Sequence, residues 1–323
     1  MQKLVDSINV WFYSLPTLHE MRKIGILTSG GDAPGMNACI RSIALACHKQ
    51  NILPIGIIDG YKGLMGGRNK TLTIHEVNSL VDRGGTFLGS ARCNDFFDKL
   101  KRANAIQHMQ QAKMDGLIVI GGDGTFSGAK EFGYEVNAPI VGIPSTIDND
   151  IDGTDYCIGF DTAVNNAMNA IDKLRDTANS HRRIFIVEVM GRHSGKLAKK
   201  IAACSGADFF LIPEQISDTK NLFAEFNHLQ QNQKGIIIIV AEGDETGGAL
   251  QLLKKIKPKL PECDIRCSIL GHIQRGGSPT AFDRVIGTKM GKLAIDWITN
   301  GKSGVFTAFN NGKILPGVMK KKG

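Results

Sequence analysis

The sequence predicts an α/β protein built on mostly parallel sheet, and three observations carry that prediction. Short apolar runs recur along the chain, each ending in a glycine-rich or acidic turn, and several are followed by apolar residues at helical spacing. Strands alternating with helices make a parallel sheet covered on both faces. The length, 323 residues, is more than one compact core usually organises, and fits two domains or one large domain with a subdomain. The unusual polar residues fall just past the C-terminal ends of the predicted strands, the edge at which open α/β sheets bind ligands.

The elements follow in order. Ile24-Gly25-Ile26-Leu27 is the first strand, running into Thr28-Ser29-Gly30-Gly31-Asp32-Ala33-Pro34-Gly35. A helix follows, with Ile40, Ile43, Ala44 and Cys47 on one face. Leu53 to Ile58 is a second strand, closed by Asp59-Gly60. Leu117 to Ile120 is a buried-type strand ending at Gly121-Gly122-Asp123-Gly124-Thr125, and Ile140 to Ile143 ends at Pro144-Ser145-Thr146. Asp161-Thr162 is placed to cap a helix carrying Val164, Ala167, Met168, Ile171 and Leu174. Ile184 to Val189, Ile236 to Ala241 and Cys267 to Leu270 are further strands, ending at Met190-Gly191-Arg192, Glu242-Gly243-Asp244 and Gly271-His272.

Composition narrows the function classes. Hydrophobic content of 42% and charged content of 22% are ordinary for a globular chain, and the 38 glycines gather after apolar runs instead of forming a low-complexity tract. A formal net charge of +8 reads as a solvated basic surface or as a preference for anionic ligands. Nucleic acid is disfavoured, because no internal Lys/Arg block is interleaved with aromatics, which are only 7% of the chain. The Lys320-Lys321-Lys322 tail reads as frayed and solvated. Seven scattered cysteines lack any C-x-x-C pair, and Cys263 and Cys267 alone complete no zinc site, so reduced thiols in the cytoplasm are the simplest account. No apolar run approaches the roughly 18 residues that would span a membrane. Residues 1–20 hold an apolar, aromatic stretch from Ile8 to Leu15 with no cleavage site after it. The expectation is a disordered extension or a misassigned start, with Met21 as the true beginning.

Four groups of residues carry the chemistry. Gly30 to Gly35, between a strand and a helix, suits a phosphate approaching backbone N–H groups at the positive end of the helix; it equally suits an ordinary strand-to-helix turn. Gly121 to Thr125 places an acid between glycines, sterically free to meet a magnesium ion that keeps most of its waters and bridges to phosphate oxygens. Such a turn occurs in several kinase families, so it points to nucleotide phosphates and not to an acceptor; the plainer role for Asp123 is a helix cap. Asp148, Asp150 and Asp152 alternate, and in extended chain they would share a face, where mutual repulsion raises at least one pKa. A solvated acidic loop is the alternative, opposed by the buried strand and proline before it. Arg92, Arg183, Arg192, Arg266 and Arg275, with His272, supply planar forks suited to phosphate. Each alone reads as a surface residue; His272-Ile273-Gln274-Arg275-Gly276-Gly277, after a strand, is the more pointed cluster. His48, His75 and His108 read as surface positions.

Taken together, Ser29 to Asn37, Arg83 to Arg92, Gly121 to Thr125, Thr146 to Asp150, Met190-Gly191-Arg192 and Gly271 to Ser278 resemble the bacterial ATP-dependent 6-phosphofructokinase family, over residues 22 to 300 or so. The resemblance implies two similar three-layer α/β domains with mostly parallel sheets, interchanging strands near the C-terminus. It places residues 21–159 plus 274–302 in an ATP-binding domain and 160–273 plus 303–323 in a sugar-phosphate and effector domain. It implies transfer of the γ-phosphoryl group of ATP to the 1-hydroxyl of fructose 6-phosphate, in glycolysis. By position, Gly31, Arg92, Cys93, Gly122, Asp123, Gly124 and Thr125 would hold ATP, with Asp123 on magnesium. Thr146, Ile147 and Asp148 would meet the transferring group and the attacking hydroxyl. Met190, Gly191, Arg192, Glu242, His272, Ile273, Gln274 and Arg275 would hold the sugar phosphate, with Arg192 also catalytic. Arg183 and Arg266 would reach its 6-phosphate from a neighbouring subunit of a homotetramer.

Departures from the family pattern matter as well. Pyrophosphate-dependent relatives usually carry Asp where Gly124 stands and Lys where Ser145 stands, so Gly124 favours ATP; Ser145 departs from the glycine usual in ATP-dependent members, though it is small and uncharged. Arg41, Arg175, Gly206 and Asp208 match the family's effector site for ADP or phosphoenolpyruvate. Leu45, Ile74, Gln233 and Gly235 stand where regulated enzymes usually carry basic residues or histidine, so regulation is expected to be weak or absent. Leu315 to Gly323 reads as a short basic tail in place of a final helix. A pyrophosphate-dependent enzyme and a catalytically silent nucleotide-sensing subunit are the alternatives; Asp123, Asp148 and Arg192 together oppose the second.

Overall fold

The computed structural model describes residues 21–215 and 235–319. Residues 1–20, Gln233 and the Lys320–Lys322 tail lie outside the described residues. The elements in chain order are β1 (Lys23–Ser29), α1 (Met36–Lys49), β2 (Leu53–Ile57), α2 (Gly60–Met65), β3 (Asn69–Thr71), α3 (Ile74–Asn78), α4 (Lys99–Gln111), β4 (Gly116–Gly121), α5 (Asp123–Gly133), β5 (Ile140–Pro144), α6 (Phe160–His181), β6 (Ile184–Val189), α7 (Lys196–Ser205), β7 (Phe209–Leu211), β8 (Ile236–Ala241), α8 (Ala249–Ile256), β9 (Ile265–Ile269), α9 (Ala281–Thr299), β10 (Val305–Asn310) and β11 (Lys313–Val318). They fall into two compact units: residues 21–146, 151–159 and 277–319 form the first, and residues 147–150, 160–215 and 235–276 the second.

The first unit is a sheet in the order β11-β10-β5-β4-β1-β2-β3. Its central pairs are parallel, and the outer pairs β10–β11 and β2–β3 are antiparallel. All six residues of β4 are buried, as expected of a strand covered on both faces. Leu27, Ile55, Ile57, Leu117 and Val119 pack on one side with Tyr61, Met109, Phe126 and Phe132 from α2, α4 and α5. The alternate residues Ile24, Ile26, Ile118 and Ile120, all 0% exposed, point the other way. Helices α1 and α9 pack tightly on each other: a Cβ at Gly291 would stand 2.9 Å from the Cys39 carbonyl oxygen. Truncating one of these buried isoleucines to Ala costs about 2–5 kcal/mol.

The second unit is a smaller, wholly parallel sheet in the order β7-β8-β6-β9. β8 is the uninterrupted run Ile236-Ile237-Ile238-Ile239-Val240-Ala241, every residue buried. Ile184, Ile186, Ile238 and Val240 share a core with Leu252 and Ile256 of α8.

Several expectations change. Residues 303–319 do not join the second unit: β10 pairs in parallel with β5, Val305 beside Val141, and β11 folds back on β10. The reason is local packing, since the Phe306 ring lies 5.2 Å from that of Phe126 and is only 2% exposed. Leu315 to Val318 is therefore strand and not tail. Gln274, Arg275 and Gly276 stay with the second unit, as do residues 147–150. Asp161 and Thr162 sit inside the first turn of α6, which begins one residue earlier at Phe160. Asp148, Asp150 and Asp152 do not share an extended face, because the chain turns at Asn149, where φ is 50°. Asp148 is buried, Asp150 half-buried and Asp152 exposed.

Candidate active site

In the first unit the C-terminal ends of β1, β4 and β5 converge. The Thr125 hydroxyl donates to the Ser29 carbonyl at 3.0 Å, and the Ser145 N–H to the Gly121 carbonyl at 2.9 Å. The turn after β1 begins at Gly30, with φ 90°, and reaches α1 through Gly35, with φ 103°. Three side chains bring the 83–92 loop to this edge. Asn37 donates to the Arg83 and Gly84 carbonyls and accepts the Phe87 N–H at 2.6 Å. Thr28 donates to the Gly89 carbonyl, and Ser90 to that of Gly30, at 2.8 and 2.7 Å. The loop leads directly into exposed Arg92 and half-buried Cys93, whose Sγ lies 3.8 Å from the Met65 Sδ.

Gly122 caps α5, and Asp123 and Gly124 occupy its first turn. A Cβ at Gly124 would meet no atom within 4 Å, so open space lies in front of the helix start. Ser145 is 1% exposed and turns its hydroxyl to the Ile158 carbonyl at 3.3 Å, away from solvent. Among the described residues no group of three or more His, Cys, Asp or Glu is placed to hold a metal alone. A magnesium–nucleotide needs only one or two protein carboxylates, so Asp123 at the positive helix end fits it.

In the second unit, Asp148 is 2% exposed. Its Oδ2 lies 3.6 Å from the Arg192 Nε. Burial pushes the Asp148 carboxyl above the usual carboxylate range, and Asp150 adds to this; Arg275 and Arg192 pull partly back. The next residue, Asn149, offers its carbonyl to the Lys196 ammonium at 3.0 Å. Gly191, with φ 141°, and Arg192, with φ 51°, form a turn that few side chains tolerate. Glu242 secures it by accepting the Arg192 N–H at 2.9 Å. Gly243 is obligatory beside it, since a Cβ there would stand 1.7 Å from the Arg192 carbonyl oxygen. The turn Gly271–Arg275 carries exposed His272 and half-buried Arg275.

The remaining expected residues divide. Ile147 is 0% exposed and Met190 is 7% exposed, so both are buried residues of the wall behind the site. Ile273 is 65% exposed. Gln274, expected to hold substrate, is 0% exposed; its amide oxygen accepts the Met190 N–H at 2.9 Å instead. Arg183 and Arg266 stand apart from this group. They flank Asp264 near the N-terminal ends of β6 and β9, with Nε–Oδ distances of 2.6 and 2.8 Å. Six strand residues separate Arg183 from Met190, which is roughly 20 Å of β6. Arg175 donates to the Ser205 and Gly206 carbonyls, and the Asp208 carboxylate accepts the Ile237 N–H, so these three effector-site matches lie around the end of α7. Arg41 belongs to α1 in the first unit, and its Nε is buried with no hydrogen-bond partner among the described residues.

Sequence reading missed Asn37, Tyr61, Asn166 and Lys196. Tyr61 donates to the Thr125 carbonyl at 2.6 Å from beneath α5. Only Asn37 carried a sequence signal, as a polar residue in the buried first turn of α1; the others act across long chain separations.

Comparison with known proteins identifies the family and the fold. The family profile described as Phosphofructokinase matches residues 23–298. The ATP-dependent 6-phosphofructokinase 1 of Thermus thermophilus is 45% identical over 295 residues, 91% of this chain and 91% of that protein. That of Persephonella marina is 46% identical over 299 residues, 91% of this chain and 92% of that protein. The solved phosphofructokinase of Saccharomyces cerevisiae superposes with a TM-score of 0.86 at 32% identity, covering 92% of this chain; this chain spans 45% of the yeast chain. A pyrophosphate-dependent phosphofructokinase from Marinobacter aquaeolei, 18% identical with a TM-score of 0.80, shares the fold. With the family match running through both units and relatives this similar over nine-tenths of its length, the chain belongs to the phosphofructokinase family.

Proposed function

We propose that this chain transfers the γ-phosphoryl group of ATP to the 1-hydroxyl of D-fructose 6-phosphate, giving fructose 1,6-bisphosphate and ADP, as a glycolytic ATP-dependent 6-phosphofructokinase. The observation that carries the reading is Asp148, a buried carboxylate with its Oδ2 3.6 Å from the Arg192 Nε and its pKa raised by burial. The names of the bacterial relatives support the same reaction.

Phosphoryl transfer has a loose transition state, so positioning and charge neutralisation supply most of the catalysis. In this reading Gly31, Arg92, Cys93 and Gly122 to Thr125 hold ATP. Asp123 would hold magnesium, which neutralises phosphate charge when bound. Asp148 accepts the hydrogen bond of the sugar hydroxyl and so aims its lone pair at the γ-phosphorus. As the new oxygen–phosphorus bond forms and the bond to the ADP oxygen breaks, the hydroxyl proton passes to Asp148. Thr146 meets the transferring group, and Arg192 balances the charge developing there. Met190, Gly191, Glu242, His272 and Arg275 hold the sugar phosphate. Open space at Gly124 and the inward-turned Ser145 favour ATP over pyrophosphate.

The placement of Arg183 and Arg266 at the far end of β6 supports their serving a neighbouring subunit's substrate in a homotetramer. Arg175 is already engaged by two carbonyls, and Leu45, Ile74 and Gly235 bring no charge, which supports weak or absent control by ADP or phosphoenolpyruvate. Seven free cysteines suit a cytoplasmic enzyme, and among the described residues no helix is long and apolar enough to cross a membrane. A coupled assay with magnesium, fructose 6-phosphate and either ATP or pyrophosphate tests the proposal. Turnover with ATP is expected; no turnover, or faster turnover with pyrophosphate, overturns it.

A further inference from the structure

We infer that Gln274 is a positioning residue for sugar-phosphate binding: its side-chain amide ties the 271–275 turn to the 190–192 turn and fixes their spacing. The inference rests on the function proposed above and assigns Gln274 a role that contact with substrate does not explain. At 0% exposure its side chain meets no dissolved ligand. Its oxygen accepts the Met190 N–H at 2.9 Å, and the amide orientation follows, because a backbone N–H needs an acceptor opposite it.

The Met190–Arg192 turn needs such a fastening. Arg192 sits at φ 51° and Gly191 at φ 141°, conformations the chain keeps only when its surroundings over-determine them. Two side chains do so from outside the turn: Gln274 on the Met190 N–H and Glu242 on the Arg192 N–H, each at 2.9 Å. The 271–275 turn is held in its own right. Asn166, on α6, donates one amide to the Gln274 carbonyl at 3.3 Å and to the Gly276 carbonyl at 2.9 Å. A continuous relay therefore runs from α6 through two side-chain amides to the backbone before Arg192. His272 and Arg275 ride on one end of it and Arg192 on the other. Cutting the relay lets the cationic groups drift apart without removing any of them.

The test compares Gln274→Met, of similar volume but without the acceptor, with the wild-type chain. The KM for fructose 6-phosphate should rise about tenfold, the equivalent of one lost hydrogen bond, while kcat and the KM for ATP stay within about twofold. Asn166→Ala, on a half-buried face of α6, should raise the same KM and decides the matter if Gln274→Met does not fold. An equal rise in both KM values, or a lowered thermal midpoint with an unmoved fructose 6-phosphate KM, means the amide is merely structural and sinks the inference. Calorimetric binding of fructose 6-phosphate to wild type and variant separates this from the parent reading. If wild type neither binds nor turns over the sugar phosphate, the proposed function fails; if it does both and Gln274→Met matches it, only the relay fails.

Discussion

The two ends of the second unit's sheet treat an aspartate in opposite ways. Beyond the C-terminal end of β6, Asp148 is buried, its Oδ2 stands 3.6 Å from the Arg192 Nε, and its carboxyl is pushed up. At the N-terminal ends of β6 and β9, Asp264 is half-buried and clasped by Arg183 and Arg266, and the hydrogen bond from Arg183 holds its carboxyl below the usual range. Arginine is present in both places, so proximity to a cation does not decide the direction. Desolvation decides it: where water is removed the cost of the charged form outweighs the nearby guanidinium groups, and where water remains the short hydrogen bonds prevail. A proton-accepting carboxylate gains from the first arrangement, and a pair of guanidinium forks held ready for phosphate gains from the second.

The largest test of the contrast is Asp148→Asn. It should lower kcat by roughly 10²–10⁴ while ATP still binds. Stability should move the other way. A carboxyl whose folded pKa is raised contributes fully below its unfolded pKa, about 3.9, and that contribution is lost as pH rises through the folded pKa. At neutral pH the buried carboxylate is therefore a cost, and the variant should melt at a higher temperature than wild type, by calorimetry. A variant that keeps its turnover, or melts lower, would break the comparison at its active end.

Arg192→Met comes next. Loss of a charge-assisted contact should cost roughly 10- to 100-fold in kcat/KM. It should also raise the Asp148 pKa further, because one of the two cations lowering it is gone. The acid limb of the kcat–pH profile should then move to higher pH. An unmoved limb would mean that Arg192 does not act on Asp148.

How far this contrast was legible in the sequence depends on what sets each position. β1, β4, β6 and β8 announced themselves, because a strand covered on both faces must be an unbroken apolar run and its exit needs a turn former. β3 and β7, three residues each, carry too little pattern. β10 and β11 were assigned to the other unit because choosing a sheet is a long-range matter, settled here by Phe306 against Phe126 and by Val305 beside Val141. Asp148 was legible as the polar residue after a buried strand; its burial was not, because Asn149 at φ 50° turns the chain and breaks the alternation that a linear reading assumes. Gln274 looked like a ligand contact from its neighbours His272 and Arg275, and only packing turns it inward. Asp264 gave no signal, because the nearer of its two arginines in space, Arg183, lies 81 residues away in the chain.

The smallest effect, and the one that sharpens the comparison most, belongs to Asp264→Asn. Ion pairs that stay partly in contact with water add little to stability, so the thermal midpoint at neutral pH should fall only slightly. Its pH dependence is the informative part. A carboxyl whose folded pKa is lowered stabilises the fold above its unfolded pKa, and that contribution disappears as pH falls through the folded value. The deficit of Asp264→Asn should therefore be present at neutral pH and close as the solution is taken below about pH 4. The surplus of Asp148→Asn runs in the opposite sense, absent in acid and growing as the pH rises. The acid limb of kcat should stay where it is in Asp264→Asn, since Asp264 is not among the groups that shift Asp148. Melting curves of both variants and wild type across the same pH series give the two trends together. Parallel curves for the two variants would show that the aspartates share one electrostatic regime, and the distinction between a desolvated base and a solvated clasp would have to be abandoned.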